Sequence, residues 1–293
     1  MAYRFIVIIC VFIASIPVFA GGPPQSNANP KRIERLTEKA KSGDLAAQYE
    51  LALAAHEGIG MPVDFAEAAR WFLSTAHFGN AAAQNWMGAI YEHGEGVPMD
   101  LREAFKWYLR ASTQGSIAAQ SNLGRMYAYG IGVDACVAAA LHWLERPAAK
   151  KMPAALFVLA DIYYNGRGVE KDLEHSNALL RQAAELGSPQ AQNNLARRYE
   201  EGEGVSQSDD DAVVWMRKAA ENGVPEAQYN MGIYFLIGRG VPADRTQALA
   251  WMRRAADHGC VVARAQLARL NAGSAAAEAD AAPRSPVSGN DLK

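Results

Sequence analysis

The 293-residue sequence is 50% hydrophobic, 9% aromatic and 20% charged, the composition of an ordinary folded protein, which excludes wholesale disorder and a collagen-like chain. A formal net charge of -2 supplies no basic field for nucleic acid or anionic lipid, so nucleic acid is set aside as a partner. The usual expectation of two compact domains for this length does not apply to repeat chains, whose cores grow linearly.

Met1 to Arg4 makes a short positive start, followed by an apolar run from Phe5 to Ile16, then Pro17 and Val18-Phe19-Ala20. This pattern predicts a secretory signal peptide over residues 1–20, cleaved before Gly21, and hence a periplasmic or secreted protein. A membrane anchor needs about 20 apolar residues, whereas Phe5 to Phe19 is shorter and contains a helix-breaking proline, so no stable membrane insertion is expected after cleavage. Cys10 lacks the small residues before it that mark a lipoprotein signal. Residues 21–30 are rich in turn formers and predict a flexible leader. From Lys31 to Lys41, Ile33, Leu36 and Ala40 share one side of a helix whose other faces are charged, as a capping helix requires. Cys136 and Cys260 remain after cleavage; about three structural units separate them, too far for a bridge, which leaves free thiols or an intermolecular link.

The body of the chain repeats itself every 36 residues. Gly58/Gly60, Gly94/Gly96, Gly130/Gly132, Gly166/Gly168, Gly202/Gly204 and Gly238/Gly240 keep that step, as do Trp71, Trp107, Trp143, Leu179, Trp215 and Trp251. Leu51, Met87, Leu123, Leu159, Leu195, Met231 and Leu267 form a third column. Fixed self-similarity of this length marks a solenoid, propeller or array. In the second repeat, Ala83, Met87, Gly88 and Tyr91 recur at helical spacing, and small Gly88 admits a close neighbour. After the Gly94–Pro98 loop, Asp100 stands at an N-cap and Ala104, Trp107, Tyr108 and Ala111 form a second apolar stripe, which Gly115 closes. Two such helices cannot bury their faces alone, so six stacked hairpins predict an all-α chain, an α-solenoid over residues 31–271. Val261 to Leu270 supplies a final half repeat, and residues 272–293, without periodicity, read as a disordered tail.

The pattern A-Q-x-x-L-G-x-x-Y-x-x-G-x-G-V, with the acid, alanine, tryptophan and A-A-x-x-G that follow, resembles the Sel1-like repeat family, relatives of the tetratricopeptide repeats. The resemblance runs from about Ala46 to Leu270 and implies a right-handed superhelix of helix pairs, a protein-binding adaptor role and no cofactor. The third repeat departs most: Pro147 follows Trp143 by one turn and Lys151 takes the terminal glycine column, so its second helix is expected to end or kink near Arg146.

Catalytic and metal patterns are thin. The six histidines share no repeat column, and the nearest approach to ligand spacing, His142 with Glu145, lacks the three or four ligands zinc requires. The Gly-x-Gly loops never reach a third glycine or Gly-Lys-Ser/Thr and follow no strand, and Asp209-Asp210-Asp211 reads as the acidic start of a helix. No Gly-x-Ser-x-Gly elbow is present. If the first helix of each pair lines the inner face, as in tetratricopeptide relatives, the positions two, six and nine after the repeat alanine face a groove. Among them Tyr49, Asn85, Arg125, Phe157, Asp161, Tyr164, Arg197, Tyr229 and Ile233 form the candidate partner site, against the plainer alternative that some pack within the curve. The functional expectation is an exported, non-catalytic adaptor or regulator binding a protein or peptide of the bacterial envelope. An immunity protein against a secreted toxin is one form of that role. The alternative class, a hydrolase of cell-wall or lactam substrates, is suggested for a cysteine-rich branch of the same family, whose paired cysteines this chain lacks.

Overall fold

Thirteen-residue helices recur throughout: the first helix of a pair (A) runs from its N-cap to a left-handed glycine, and the second (B) runs from its N-cap to a right-handed C-cap with the left-handed residue one position beyond. The computed structural model describes residues 30–270; the expected signal peptide, the expected tail and all of the expected leader except Pro30, which begins a helix, lie outside the described residues. Helix α1 (Pro30–Lys41) precedes six A–B pairs. The A helices are α2 (Leu45–Glu57), α4 (Ala81–His93), α6 (Ile117–Tyr129), α8 (Pro153–Asn165), α10 (Pro189–Glu201) and α12 (Pro225–Ile237). The B helices are α3 (Phe65–His77), α5 (Leu101–Thr113), α7 (Val137–Ala149), α9 (Leu173–Glu185), α11 (Asp209–Glu221) and α13 (Arg245–Asp257). A further helical stretch, α14, occupies residues 261–270. The chain is an all-α repeat solenoid with two compact units, one through Lys171 and one from Asp172.

The motif residues have separable jobs. Each A helix ends on a glycine in the left-handed region, such as Gly94 at φ 71°, whose N–H bonds back to Ile90. The second glycine of the loop allows contact with the preceding repeat. A β-carbon on Gly132 would stand 2.1 Å from the Leu101 carbonyl oxygen, and one on Gly96 would stand 2.4 Å from that of Phe65. The glutamine after the repeat alanine joins consecutive repeats: the side-chain amides of Gln48, Gln84, Gln192 and Gln228 each donate to a carbonyl eight residues earlier at 3.0 Å. These buried bonds satisfy the last carbonyls of a B helix, or of α1, where water cannot reach.

The core sits between A and B helices. Leu51, Met87, Leu123, Leu195 and Met231 are buried, while Leu159 and Leu267 of the same column are half-buried. In the aromatic column Trp107, Trp251 and the smaller Leu179 are buried, but Trp71, Trp143 and Trp215 keep part of their surface in solvent. Cations cover several of these rings: Arg110 over Trp107 at 4.6 Å, Lys218 over Trp215 at 3.9 Å and Arg254 over Trp251 at 4.8 Å.

The third repeat corrects one expectation. Helix α7 does not end near Arg146 but runs to Ala149 with Pro147 inside it. Proline so close to the helix end forfeits one hydrogen bond, and the buried ring fills the core column held elsewhere by Ala111, Ala183, Ala219 and Ala255. Lys151 adopts the left-handed region at φ 55°, as the glycines of its column do. Cys136, at the N-cap, makes no side-chain cap bond, whereas Asp64, Asp100, Asp172, Ser208 and Asp244 all do. Cys136 and Cys260 form no disulfide with each other. Replacing Cys136→Asp and Lys151→Gly should each stabilise the chain, by about 1 kcal/mol for the cap and about 1–2 kcal/mol for the released backbone strain. Chemical denaturation of the two variants and the double variant checks this; a loss of stability would contradict the cap and strain assignments.

Candidate functional site

On an A helix, positions two, six and nine after the alanine share one face because they are three to four residues apart. In the N-terminal unit that face is closed over its middle repeats. Ala89, Glu92, Ser121, Arg125 and Ala128 are buried, so the plain packing alternative holds at those positions. Arg125 is the clearest correction to the groove: its side chain is 10% exposed and its Nη2 donates to both oxygens of Glu92 at 2.7 Å, with Glu92 only 2% exposed. The Tyr108 hydroxyl also donates to Glu92, at 3.1 Å. Burial, then the charge of Glu92, holds that phenol well above its ordinary range.

The other predicted residues of this unit are half-buried. Tyr49 sets its ring edge-on to Phe72 at 5.6 Å, and its hydroxyl is raised chiefly by burial, against a hydrogen bond with Trp86. Asn85 accepts from the Asn122 amide at 3.2 Å, so those two asparagines join neighbouring A helices. Asp161 is gathered in by its own surroundings: Asn165 donates to it at 2.8 Å, Arg167 lies 3.5 Å away, and Tyr129 faces it. Burial first, then Asp161, pushes the Tyr129 phenol well above its ordinary range. Lys171 stands over the Tyr164 ring at 5.2 Å. Phe157 keeps part of its ring open.

In the C-terminal unit the same face is more open. Asn193, Arg197, Glu200, Tyr229, Ile233 and Leu236 are all partly exposed. Arg197 has Glu201 at 3.8 Å, and Tyr229 is raised by burial first, then by Cys260, with Arg269 opposing. The predicted set is therefore spread along the A helices of two units: Tyr49 on α2, Asn85 on α4 and Phe157, Asp161 and Tyr164 on α8 in the first, and Arg197 on α10 with Tyr229 and Ile233 on α12 in the second.

Sequence reasoning missed the charge pairs that link repeats. His56 Nε2 lies 2.9 Å from Glu95, with the ring set against Phe65 at 5.3 Å and Trp86 at 4.8 Å. Arg239 pairs with Glu200 and also donates to Asp209 at 2.8 Å. Both cases place the middle residue of a Gly-x-Gly loop 39 residues after position nine of the preceding repeat. Complementary hydrogen-bonding side chains at that offset, rather than at 36, were the available signal.

Six successive segments match the Sel1 repeat: residues 45–77, 81–116, 117–150, 153–188, 189–224 and 225–260. No curated protein matches the chain. Among solved structures, the chain is similar to a protective antigen of uropathogenic Escherichia coli strains displaying an SLR fold, with 34% identity and TM-score 0.58. That match covers 82% of this chain and 52% of the antigen, so the chain spans about half the antigen's length. A Sel1 repeat protein from Oxalobacter formigenes matches at 28% identity and TM-score 0.66, covering 78% of this chain and 99% of its own. An immunity protein from Pseudomonas aeruginosa shares the fold at 17% identity and TM-score 0.53, covering 75% of this chain and 83% of its own.

Proposed function

This chain belongs to the Sel1 repeat family, and from that premise we propose that it is an exported, non-catalytic adaptor that binds a protein or peptide in the bacterial envelope through its A-helix faces. The observation that carries the reading is the contrast in burial. Leu51, Met87, Leu123, Leu195 and Met231 of the core column are sealed, whereas Phe157 in the N-terminal unit and Tyr229 and Ile233 in the C-terminal unit keep apolar surface open on rigid helices, the latter two in a unit whose same face also carries Asn193 and Arg197. Aromatic and aliphatic anchors fixed on helices bind an extended segment with little ordering cost. Among the described residues no helix is long and apolar enough to cross a membrane. Export rests on the signal-peptide pattern of Met1 to Ala20 in the sequence.

A catalytic role gains nothing from the buried charges: the Glu92 carboxylate is closed between Arg125 and Tyr108 and serves the packing of three helices. The test is affinity capture from intact bacterial envelopes, with N-terminal sequencing of the recovered chain. A saturable partner and a chain beginning at Gly21 are expected. Recovery of Met1 would remove the envelope assignment, and loss of capture on none of the variants Phe157→Ala, Tyr229→Ala and Ile233→Ala would remove the A-helix faces as the binding surface.

A further inference from the structure

We infer that the A-helix face of the C-terminal unit docks an extended acidic segment of a partner protein, two carboxylates flanking an apolar side chain. This rests on the binding reading above and names the chemistry of its ligand. In the N-terminal unit the carboxylates at positions six and nine are answered internally: Glu92 by Arg125, and Asp161 by Asn165 and Arg167. The C-terminal unit is different. Its one carboxylate at these positions, Glu200, is taken by Arg239, a loop residue that also holds Asp209.

Position six then reads Arg197 on α10, Ile233 on α12 and Arg269 on α14, with Tyr229 one turn before Ile233. Arg197 has 34% of its side chain exposed; its buried Nε makes no hydrogen bond and forms only a loose ion pair at 3.8 Å with Glu201, a carboxylate that is itself 39% exposed. Arg269 is exposed and near enough to Tyr229 to act on its phenol, and Tyr229 and Ile233 are half-buried on α12, the A helix between α10 and α14 in the repeat order. A planar guanidinium presents paired donors that match a carboxylate, and an apolar strip between two of them fits an uncharged side chain. Stacked helices step about 10 Å, so two repeats span roughly 20 Å. An extended strand rises about 3.3 Å per residue, so the two carboxylates should be about six residues apart. Charge complementarity therefore selects an acidic occupant over a neutral apolar one.

The probe is a phage-displayed library of random dodecapeptides selected on the full chain. Selected peptides should carry Asp or Glu in pairs at about that spacing, and should lose about tenfold or more in affinity on Arg197→Gln or Arg269→Gln and on raising salt. Helicity and melting of both variants should match the parent, since both side chains lie outside the core. Peptides without acidic pairs, or binding unmoved by both arginine substitutions, would overturn the inference. If such peptides are nevertheless lost on Tyr229→Ala, the A-helix binding reading stands and only its acidic chemistry fails. A library yielding no peptide dependent on any A-helix side chain would end both.

Discussion

Truncating Trp107→Ala should cost about 3–5 kcal/mol of stability. Trp107 is 4% exposed and belongs to a buried cluster with Ala52, Phe72, Met87 and Ile90, so its indole touches side chains of the first and second repeats. The ring edge of His77 meets it at 5.5 Å, and Arg110 covers its face. Removing the indole leaves a cavity that thirteen-residue helices fixed by caps at both ends cannot collapse to fill, so transfer and cavity terms add. Trp215→Ala should cost less, because Trp215 is half-buried and Lys218 on its ring can settle over the gap. Guanidinium denaturation followed by circular dichroism measures both. Equal and small losses would mean that the aromatic column is not the core seam.

Breaking the buried Glu92–Arg125 pair should be as damaging. Either Glu92→Ala or Arg125→Ala leaves an uncompensated charge in a site where the two side chains are 2% and 10% exposed, at a cost of about 3–5 kcal/mol. Replacing the whole polar group should cost far less. Other repeats carry Leu53 and Ile233 at the position of Arg125, and Leu236 at that of Glu92, so the local geometry accepts apolar side chains there. The variant Glu92→Leu/Arg125→Leu/Tyr108→Phe removes the pair and the phenol that donates to it, and should stay within about 1 kcal/mol of the parent, on either side. The same denaturation series decides: near-neutral single truncations, or an unfolded triple variant, would contradict the account of this pair as an expensive but replaceable link between α4, α5 and α6.

How far the chain could be read from its sequence depended on whether a residue acts within its own repeat. The helix pairs, the left-handed glycines, the Asp100 cap and the buried leucine and methionine columns are local, and a 36-residue period displays them six times over. Pro147 misled about where α7 ends because a helix-breaking propensity was judged without its burial; in the last turn one lost hydrogen bond is a small cost against a filled core position. Arg125 misled for a different reason. Its column is right for a groove, but its partner Glu92 lies 33 residues away, a contact between different positions of neighbouring repeats that no column shows. The open positions of Arg197, Tyr229 and Ile233 were legible from their columns, whereas the pairing of Glu200 with Arg239, 39 residues on, was not.

The claim at the centre of this account is that binding and stability are carried by different side chains of the same repeats. Parallel measurement of partner affinity and melting temperature for Phe157→Ala, Arg197→Ala, Tyr229→Ala and Ile233→Ala, with Trp107→Ala as the core reference, tests it most directly. The account predicts that at least the strongest anchors lose about 1–2 kcal/mol or more of binding while melting stays near that of the parent, and that Trp107→Ala loses stability first. It is contradicted if all four bind the captured partner normally, or if each is destabilised as severely as Trp107→Ala.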